Sequence, residues 1–380
     1  MSVLNDIDFI KNIDKSNMHH LITHMPEQIY IMYNTVISPN LKNNHFDNII
    51  FYGMGGSAIA ADLISAFFAN YISCKVIKWS TFTPLSEGGH AFPPLSEGGH
   101  TFPPLSEGGR GESHPNILHV FISYSGNTAE VIDSYKNTIP TSDNIVTITS
   151  GGKLKEISEK NNFHINLPAN YPPRAAIALM FFSIIKLLEA LNIIPSQEKI
   201  VNALIGNLMQ KAGCLCYKTE LNKNLAKSTA ESIFPKIPVI YSSCPVLLPV
   251  AYRWKCQINE NAKMPAFFHT IPEMCHNEVE AWELPIYTQM FIPVFLRSFN
   301  ENKGYSETVR AFQDLLNMKH IEFLEFYGDG LVENFTLQDI FTLIYLGDMI
   351  SFYLAILNKV DPTEIKNITY IKSKEKKNYE

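Results

Sequence analysis

The chain has 380 residues, of which 46% are hydrophobic and 18% charged, and its formal net charge is −6. This length supports one large or two medium domains, and the acidic balance argues against broad nucleic-acid binding. Residues 1–17 contain no apolar signal-peptide core, and the most apolar run, residues 175–185, is too short to span a bilayer. Six scattered cysteines lack metal-site or redox spacing, so we expect reduced thiols in a cytoplasmic protein without a membrane anchor.

Strand-like and helix-like segments alternate along the whole chain. The first half reads as a helical segment at 2–33, a helix at 58–70, a helix at 174–191, and strands at 48–52, 75–79, 118–122, 144–149 and 163–167. After residues 193–196 the pattern restarts, with helices at 196–230, 247–260 and 336–358 and strands at 237–241, 291–295 and 320–327. This alternation predicts an α/β fold of two doubly wound parallel-sheet domains, residues 1–194 and 195–380.

A tandem decamer at residues 84–113 interrupts the pattern. Its units are PLSEGGHAFP, PLSEGGHTFP and PLSEGGRGES, and such Pro, Gly and Ser content predicts a flexible insert. His90 and His100 lie ten residues apart in it with few other ligand types nearby. We therefore predict no metal site there, and interpret the repeat as an expansion in a tolerant loop.

The segment FISYSGNTAEVI, residues 121–132, ends an apolar strand in a cluster of small hydroxyl residues. Residues 123–128 have turn composition, and a helix can begin at Ala129. A helix N-terminus offers free N–H groups and a positive dipole end, which together with the hydroxyls of Ser123, Ser125 and Thr128 suit a phosphate group. An ordinary strand-to-helix turn has the same composition, so that alternative stays open.

A second turn, GMGGS at residues 53–57, follows the first strand in the same way. Gly55 and Gly56 would let the backbone approach a ligand closely, and Ser57 adds a hydroxyl at a helix start. The segment is neither a Walker motif nor a complete GxGxxG fingerprint, so a nucleotide is not indicated. Two such turns at the carboxyl ends of neighbouring strands would converge on one crevice.

Three further residues could carry chemistry. Arg174 follows a rigid Pro-Pro pair at a helix start, Glu260 lies among polar residues after a helical run, and His276 lies in a polar turn. Each also has an ordinary interpretation: a surface ion pair, a helix-end carboxylate and a loop histidine.

A set of motifs occurs in the order and spacing of one family. They are GMGGSAIAAD (53–62), SYSGNT (123–128), ITSGGKL (148–154), PPRAA (172–176), NENAK (259–263), HNEVEAW (276–282) and a final segment from Asp361 to Lys372. In these segments the chain resembles the bifunctional phosphoglucose/phosphomannose isomerases, which are built from two sugar-isomerase (SIS) domains with a flavodoxin-like fold. SYSGNT is typical of SIS domains in general, whereas NENAK followed by HNE is narrower.

The resemblance implies an aldose–ketose isomerase that needs no cofactor. It assigns the substrate phosphate to Ser57, Ser123, Ser125 and Thr128 with the backbone at Gly55 and Gly56, and it implies Glu260 as the base. Arg174 would stabilise the enediolate, and His276 with Lys372 would open the sugar ring. In the family the histidine comes from the partner subunit, so a homodimer is implied.

The chain also departs from the family pattern. Ala61 replaces a common glycine, Ala129 and Val131 replace acid and hydroxyl residues, and the decamer repeat enters beside the phosphate-binding strands. Lys372 lies near a lysine-rich tail, in which Lys374, Lys376 and Lys377 are rival candidates.

Three other functions compete with the isomerase interpretation. A sugar-phosphate-binding regulator would not need Glu260, His276 and Arg174 together, and we find no helix-turn-helix pattern. An aminosugar synthase would need an N-terminal catalytic cysteine, whereas the first cysteine is Cys74. An isomerase inactivated by the repeat is distinguished only by assay, and the sequence does not indicate whether glucose 6-phosphate or mannose 6-phosphate is preferred.

Overall fold

The protein divides into two compact units in a computed structural model. The structure describes residues 2–41, 45–69, 75–79, 116–140, 142–160, 162–330 and 336–375. One unit comprises Thr35–Pro195, and the other combines Met1–Asn34 with Ser196–Glu380. The decamer repeat at 84–113, with His90 and His100, lies outside the described residues, as do Lys376 and Lys377.

The unit of residues 35–195 is built on a five-stranded parallel sheet. Its strands are β1 (Asn48–Tyr52), β2 (Lys75–Trp79), β3 (Ile117–Ile122), β4 (Ile145–Thr149) and β5 (Phe163–Asn166). Numbering the N-terminal helices α1 (Ile7–Ile13), α2 (Met18–Thr23) and α3 (Met25–Tyr33), its own helices are α4 (Gly56–Phe67), α5 (Ala129–Thr138), α6 (Gly152–Ser158) and α7 (Ile177–Ala190). The strand order β2-β1-β3-β4-β5 is the flavodoxin-like order, which confirms the predicted doubly wound fold.

The strand order of this sheet places its two glycine-rich turns side by side. β1 pairs in parallel with β3 in a register that sets Tyr52 against Phe121. The carboxyl ends of both strands therefore lie at the same end of the sheet, which we call the first edge. Because the chain leaves this pair of strands in opposite directions across the sheet, the edge is a topological switch point, where open α/β sheets bind ligands. The predicted convergence of the two turns on one edge is therefore confirmed.

The second unit repeats the plan with four parallel strands. They are β6 (Ile237–Ser242), β7 (Phe267–Thr270), β8 (Phe291–Arg297) and β9 (Leu324–Tyr327), in the order β7-β6-β8-β9. The helices are α8 (Glu198–Leu215), α9 (Leu225–Ile233), α10 (Leu248–Gln257), α11 (Pro285–Thr288), α12 (Lys303–Met318), α13 (Leu337–Leu357) and α14 (Lys366–Glu375). Strand β7, a four-residue outer strand with a proline before and after it, is not predicted from the sequence. The single helix predicted over residues 196–230 is two helices, α8 and α9, which a 3₁₀ turn at Leu221–Lys223 separates.

The N-terminal segment corrects the predicted domain boundary. Residues 1–34 belong with residues 196–380 and not with the first half of the chain. The Asn5 side chain accepts a hydrogen bond from the backbone N–H of Leu221 (2.9 Å), and the His19 ring accepts one from Tyr217 (3.2 Å). Because Leu4 and Ile29 are fully buried, this segment completes the core of the second unit.

Helix α13 forms the centre of that core. It is long and apolar enough to cross a membrane by length and composition, but 94% of its most apolar window is buried within the protein. Its N-terminus is closed by a capping box between Thr336 and Asp339. Among the described residues it is the one helix with these properties, and its burial is that of a core helix.

Candidate functional site

The GMGGS turn connects β1 to α4 and adopts the close approach that its glycines allow. Gly55 has φ +56°, a left-handed conformation that favours glycine. A Cβ on Gly53 would come within 3.1 Å of the Ser57 backbone carbon, so the turn is tightly folded on itself. The Ser57 hydroxyl is buried and donates to the Met180 sulfur at 3.3 Å. To reach a phosphate, this hydroxyl must exchange that weak acceptor for an oxygen.

The SYSGNT turn presents its hydroxyls and a helix N-terminus together. Ser123 Oγ and Thr128 Oγ1 lie 2.9 Å apart, and the backbone N–H of Gly126 donates to Ser123 Oγ at 3.1 Å. Ser125 is exposed. Thr128 is the N-cap of α5, but its side chain makes no capping hydrogen bond. The first N–H groups of α5 therefore lack a side-chain cap and point toward the same edge as the hydroxyls, which is a suitable arrangement for an anion.

A third turn, TSGGK at residues 149–153, supports SYSGNT from the neighbouring strand. The backbone N–H of Ser150 donates to the Tyr124 carbonyl (3.0 Å), that of Leu154 to the Gly126 carbonyl (2.9 Å) and that of Lys153 to Asn127 Oδ1 (3.1 Å). The two turns also interlock sterically. A Cβ on Gly126, whose φ is +65°, would lie 1.7 Å from the Gly151 carbonyl oxygen. The shape of the hydroxyl cluster is therefore fixed by two turns, not one.

Arg174 lies in the same unit on a 3₁₀ turn, Pro173–Ala175, and is only 6% exposed. A Cβ on Gly56 would lie 3.3 Å from the Pro173 carbonyl oxygen, so the absence of a side chain at Gly56 lets the GMGGS turn approach this arginine turn. Tyr124 joins the arginine segment to SYSGNT: its hydroxyl donates to the Pro168 carbonyl (2.7 Å) and accepts from the Tyr171 N–H (3.0 Å). Burial raises the pKa of Tyr124, so the hydroxyl stays protonated and able to donate.

Glu260 lies in the other unit, on a π-helical turn, Ile258–Ala262, that continues α10. Single π-helical turns are uncommon and frequently mark functional sites. The carboxylate is half-buried. Asn261 in the same turn is fully buried and donates from Nδ2 to Ser351 Oγ of α13 at 2.9 Å. The ordinary interpretation of Glu260 from the sequence is a helix-end carboxylate, and the structure adds the unusual backbone that presents it.

His276 and Lys372 lie on two other elements of this unit. His276 ends a 3₁₀ turn, Glu273–His276, and is exposed, while Lys372 is exposed on α14. The loop after His276 is anchored because the Tyr241 hydroxyl donates to Glu278 and accepts from Trp282 Nε1 at 3.0 Å. Of the rival lysines, Lys374 lies over the Tyr370 ring at 5.3 Å.

The structure thus brings together the predicted phosphate residues and Arg174 within the unit of residues 35–195. Glu260, His276 and Lys372 belong to the other unit, each on its own turn or helix. The roles given to these residues remain predictions.

Ionic side chains fill the carboxyl end of the four-stranded sheet, at the ends of β6 and β8, which we call the second edge. Arg297, at the end of β8, is 3% exposed as a side chain and forms ion pairs with Glu301 and with Glu325 (2.7 Å). Burial alone would lower the pKa of Arg297, but its hydrogen bond to Glu301 and the charge of that carboxylate raise it. Ser298 Oγ donates to Asp339 Oδ1 at 2.8 Å. This edge carries three carboxylates, those of Glu301, Glu325 and Asp339, where the first edge carries a cluster of hydroxyls.

Comparison with known proteins supports the identity of these motifs. Residues 222–374 match the family model of the bacterial phospho-glucose isomerase C-terminal SIS domain. A bifunctional phosphoglucose/phosphomannose isomerase from Caldicellulosiruptor bescii is 32% identical over 366 residues, covering 94% of this chain and 98% of the relative. The chain belongs to the bifunctional phosphoglucose/phosphomannose isomerase family. A second bifunctional phosphoglucose/phosphomannose isomerase, from Aquifex aeolicus, is 30% identical over 87% of this chain and 91% of the relative.

Solved structures support the fold of this family member. A hypothetical protein from Thermus thermophilus aligns with a TM-score of 0.66 at 13% identity, covering 99% of this chain and 90% of that one. A likeness at this identity concerns the fold alone.

Sequence reasoning missed the residues that shape the site. In the sequence Tyr124 is only one residue of a turn, yet in the structure it ties SYSGNT to the arginine segment. Lys263 is only the last residue of a motif, yet its ammonium contacts the backbone of the Glu260 turn at 2.8 Å. The sequence signals for these two residues are an aromatic residue in an otherwise small-residue turn and a lysine after a helix end.

Proposed function

We propose that the protein interconverts glucose 6-phosphate and mannose 6-phosphate with fructose 6-phosphate. The observation that carries this proposal is the hydroxyl-lined switch point beside buried Arg174, in a chain that keeps the Glu260 and His276 motifs of its family. A sugar phosphate offers an anion for the first feature and exchangeable protons for the others. In the same proposal the protein acts in the cytoplasm.

The phosphate is held by the first edge. Ser57, Ser123, Ser125 and Thr128 donate hydroxyl hydrogen bonds to it, and the backbone at Gly55 and Gly56 allows it to approach closely. Hydrogen bonds to a charged group contribute about 1.5–3 kcal/mol each. Holding the phosphate fixes the position of C1 and C2, which lowers the entropic cost of the reaction.

The chemistry is a proton transfer on the open-chain sugar. His276 and Lys372 open the ring, and Glu260 removes the proton from C2 of the aldose and returns one to C1. The hydroxyl proton passes from O2 to O1, so atoms and electrons balance without an oxidant. The intermediate is a cis-enediolate, whose negative charge Arg174 stabilises. Exposed His276 is proposed to act on the substrate of a partner subunit in a homodimer.

The test is a coupled assay of the purified protein with fructose 6-phosphate, scoring both aldose products. We expect both to form, and Glu260→Gln to lower kcat by about 10²- to 10⁴-fold without loss of fold. Glu307→Gln, at a carboxylate whose side chain is 61% exposed, is the matched control and should leave kcat unchanged. A folded Glu260→Gln protein with a near-normal rate would remove Glu260 from the mechanism.

Arg174→Ala separates stabilisation of the intermediate from binding. Because the arginine charge is needed when the enediolate forms, kcat should fall more than KM rises. A change in KM alone would assign Arg174 to substrate binding. A wild-type protein that binds fructose 6-phosphate but releases neither aldose would instead favour a sugar-phosphate-binding regulator.

A further inference from the structure

The backbone of the Glu260 turn needs hydrogen-bond donors that its own helix does not provide. A helix leaves its last carbonyl groups without intrahelical partners. The π-helical turn ends at Ala262, and Lys263 follows in a left-handed conformation, with φ +56°. That position commonly carries glycine or asparagine. A lysine here is conformationally costly, so its side chain is expected to offset the cost.

The Lys263 ammonium provides those donors. Its Nζ lies 2.8 Å from the Glu260 carbonyl oxygen, 3.2 Å from that of Asn261 and 2.7 Å from that of Asp361. An ammonium has three N–H donors and no acceptor. Three backbone carbonyl oxygens thus lie within hydrogen-bond distance of the three donors of Lys263.

Neighbouring amide side chains complete the closure of the same turn. Asn358 Nδ2 donates to the Ala262 carbonyl (2.9 Å), and Asn259 Nδ2 donates to the Met264 carbonyl (2.9 Å). Buried Asn261 donates to Ser351 of α13. The turn is therefore held both at its C-terminal end and on the side that packs against α13. The contact with Asp361 extends this network to the segment that leads into α14, the helix of Lys372.

We propose that Lys263 is a positioning residue that sets the direction of the Glu260 carboxylate and couples its turn to the Asp361 segment. The proposal rests on the proposed role of Glu260 as the base. Loss of the ammonium removes one donor from each of three carbonyl groups, and the turn can then relax toward a regular helical end. A small displacement of a base costs up to about 100-fold in rate, because proton transfer depends on near-contact geometry.

The chain offers a closely matched control. Lys359 is also exposed and also has φ +56°, in the same unit. Lys263→Met and Lys359→Met therefore remove the same side chain from the same backbone conformation. Lys263→Gly and Lys359→Gly relieve the left-handed strain at each site, which separates a backbone effect from an effect of the ammonium.

The experiment measures kcat, KM and the primary deuterium isotope effect with glucose 6-phosphate deuterated at C2. We expect Lys263→Met and Lys263→Gly each to lower kcat by about 10- to 100-fold, with KM within about threefold of wild type and a larger isotope effect. Lys263→Arg should recover part of the rate, and both Lys359 variants should match wild type. An unchanged isotope effect, a change confined to KM, or recovery in Lys263→Gly would overturn the proposal.

Amide hydrogen exchange decides the structural part without any turnover. Peptides covering residues 258–264 and 361–364 should lose protection in Lys263→Met and keep it in Lys359→Met. Unchanged exchange in Lys263→Met would show that Lys263 does not hold the turn, whatever the activity. A wild-type protein without isomerase activity would overturn the role of Glu260, and the exchange result would still report on Lys263.

Discussion

At the carboxyl ends of β1 and β3, the chain presents glycines, hydroxyls and an uncapped helix N-terminus, whereas at the ends of β6 and β8 it presents a buried arginine surrounded by carboxylates. Both edges are switch points of parallel sheets with the same order of their first four strands. Ser123 follows β3, while Arg297 closes β8 and pairs with Glu301. The same backbone plan therefore carries a cluster of hydroxyls and glycines in one unit and a closed ionic cluster in the other.

The difference shows that the fold supplies a crevice and the side chains decide its use. An anion approaching the second edge would meet Glu301, Glu325 and Asp339, and it would have to displace partners from a buried arginine. Burial raises the pKa of Asp339, although hydrogen bonds from Thr336 and Ser298 oppose the rise. The GMGGS and SYSGNT turns of the first edge contain no carboxylate, so that edge is the one suited to a phosphate.

The largest effect on stability is expected from removing the buried arginine of the second edge. Arg297→Met leaves Glu301 and Glu325 without their buried partner, which should lower the free energy of unfolding by about 3–5 kcal/mol. Urea denaturation measures the loss. Lys303→Met, at a surface pair with an 88% exposed lysine side chain, should change it by less than about 1 kcal/mol. Equal losses in both variants would mean that the cluster adds no more than a surface pair.

The next effect comes from distorting the first edge. Gly126→Ala places a Cβ 1.7 Å from the Gly151 carbonyl oxygen at φ +65°, so we expect a loss of about 3 kcal/mol in stability together with weak fructose 6-phosphate binding. Gly151→Ala is the control, because its Cβ would have no atom within 4 Å. Calorimetric melting and titration with fructose 6-phosphate measure both quantities. A Gly126→Ala protein that binds normally would contradict the interlocked-turn description.

Removing single hydroxyls of the SYSGNT turn should weaken phosphate binding without distorting the turn. Ser125→Ala and Thr128→Ala should each reduce sugar-phosphate affinity by about 1.5–3 kcal/mol, and free glucose should bind poorly to the wild-type protein. Ser306→Ala, which removes a hydroxyl bonded to Arg297, should leave the affinity unchanged. If glucose and glucose 6-phosphate bound equally well, the first edge would not be a phosphate site.

The smallest expected effect concerns the link between SYSGNT and the arginine segment. Tyr124→Phe removes one hydroxyl that both donates to Pro168 and accepts from Tyr171, so a stability change of about 0.5–1.5 kcal/mol is expected. Because the arginine segment loses its tie, kcat should fall while phosphate affinity is retained. Tyr135→Phe is the control, since this hydroxyl bonds to Asn162, away from the arginine segment. Loss of affinity with constant kcat would argue against the link.

The architecture could be predicted from the sequence because the apolar strands are followed by clear turn and helix signals. Strands β1, β3 and β4 are buried along nearly their whole length and read as continuous apolar runs. Strand β7 was missed because FFHT is too short for a periodic pattern. The membership of residues 1–34 depends on contacts with residues more than 180 positions away, which no local pattern reports.

The site could be predicted only as residue types in turns. Ser123, Ser125 and Thr128 are predicted as phosphate-binding residues because small hydroxyl residues before a helix favour anions. The π-helical backbone at Glu260 was not predictable, since five residues of INENA have no composition that separates a π turn from an α-helical end. The roles of Tyr124 and Lys263 depend on carbonyl partners at other positions in the chain, and these are visible only after folding.

The discontinuous composition of the second unit has a consequence for the order of events on the ribosome. The first 34 residues leave the ribosome early, but helix α13, against which Leu4 and α2 pack, begins only at Leu337. At about 5–20 residues per second, the interval between them is roughly 15–60 s. Residues 35–195 are complete long before that and can fold as a finished unit during synthesis. The GMGGS and SYSGNT turns can thus fold while the unit that carries Glu260 still lacks α13.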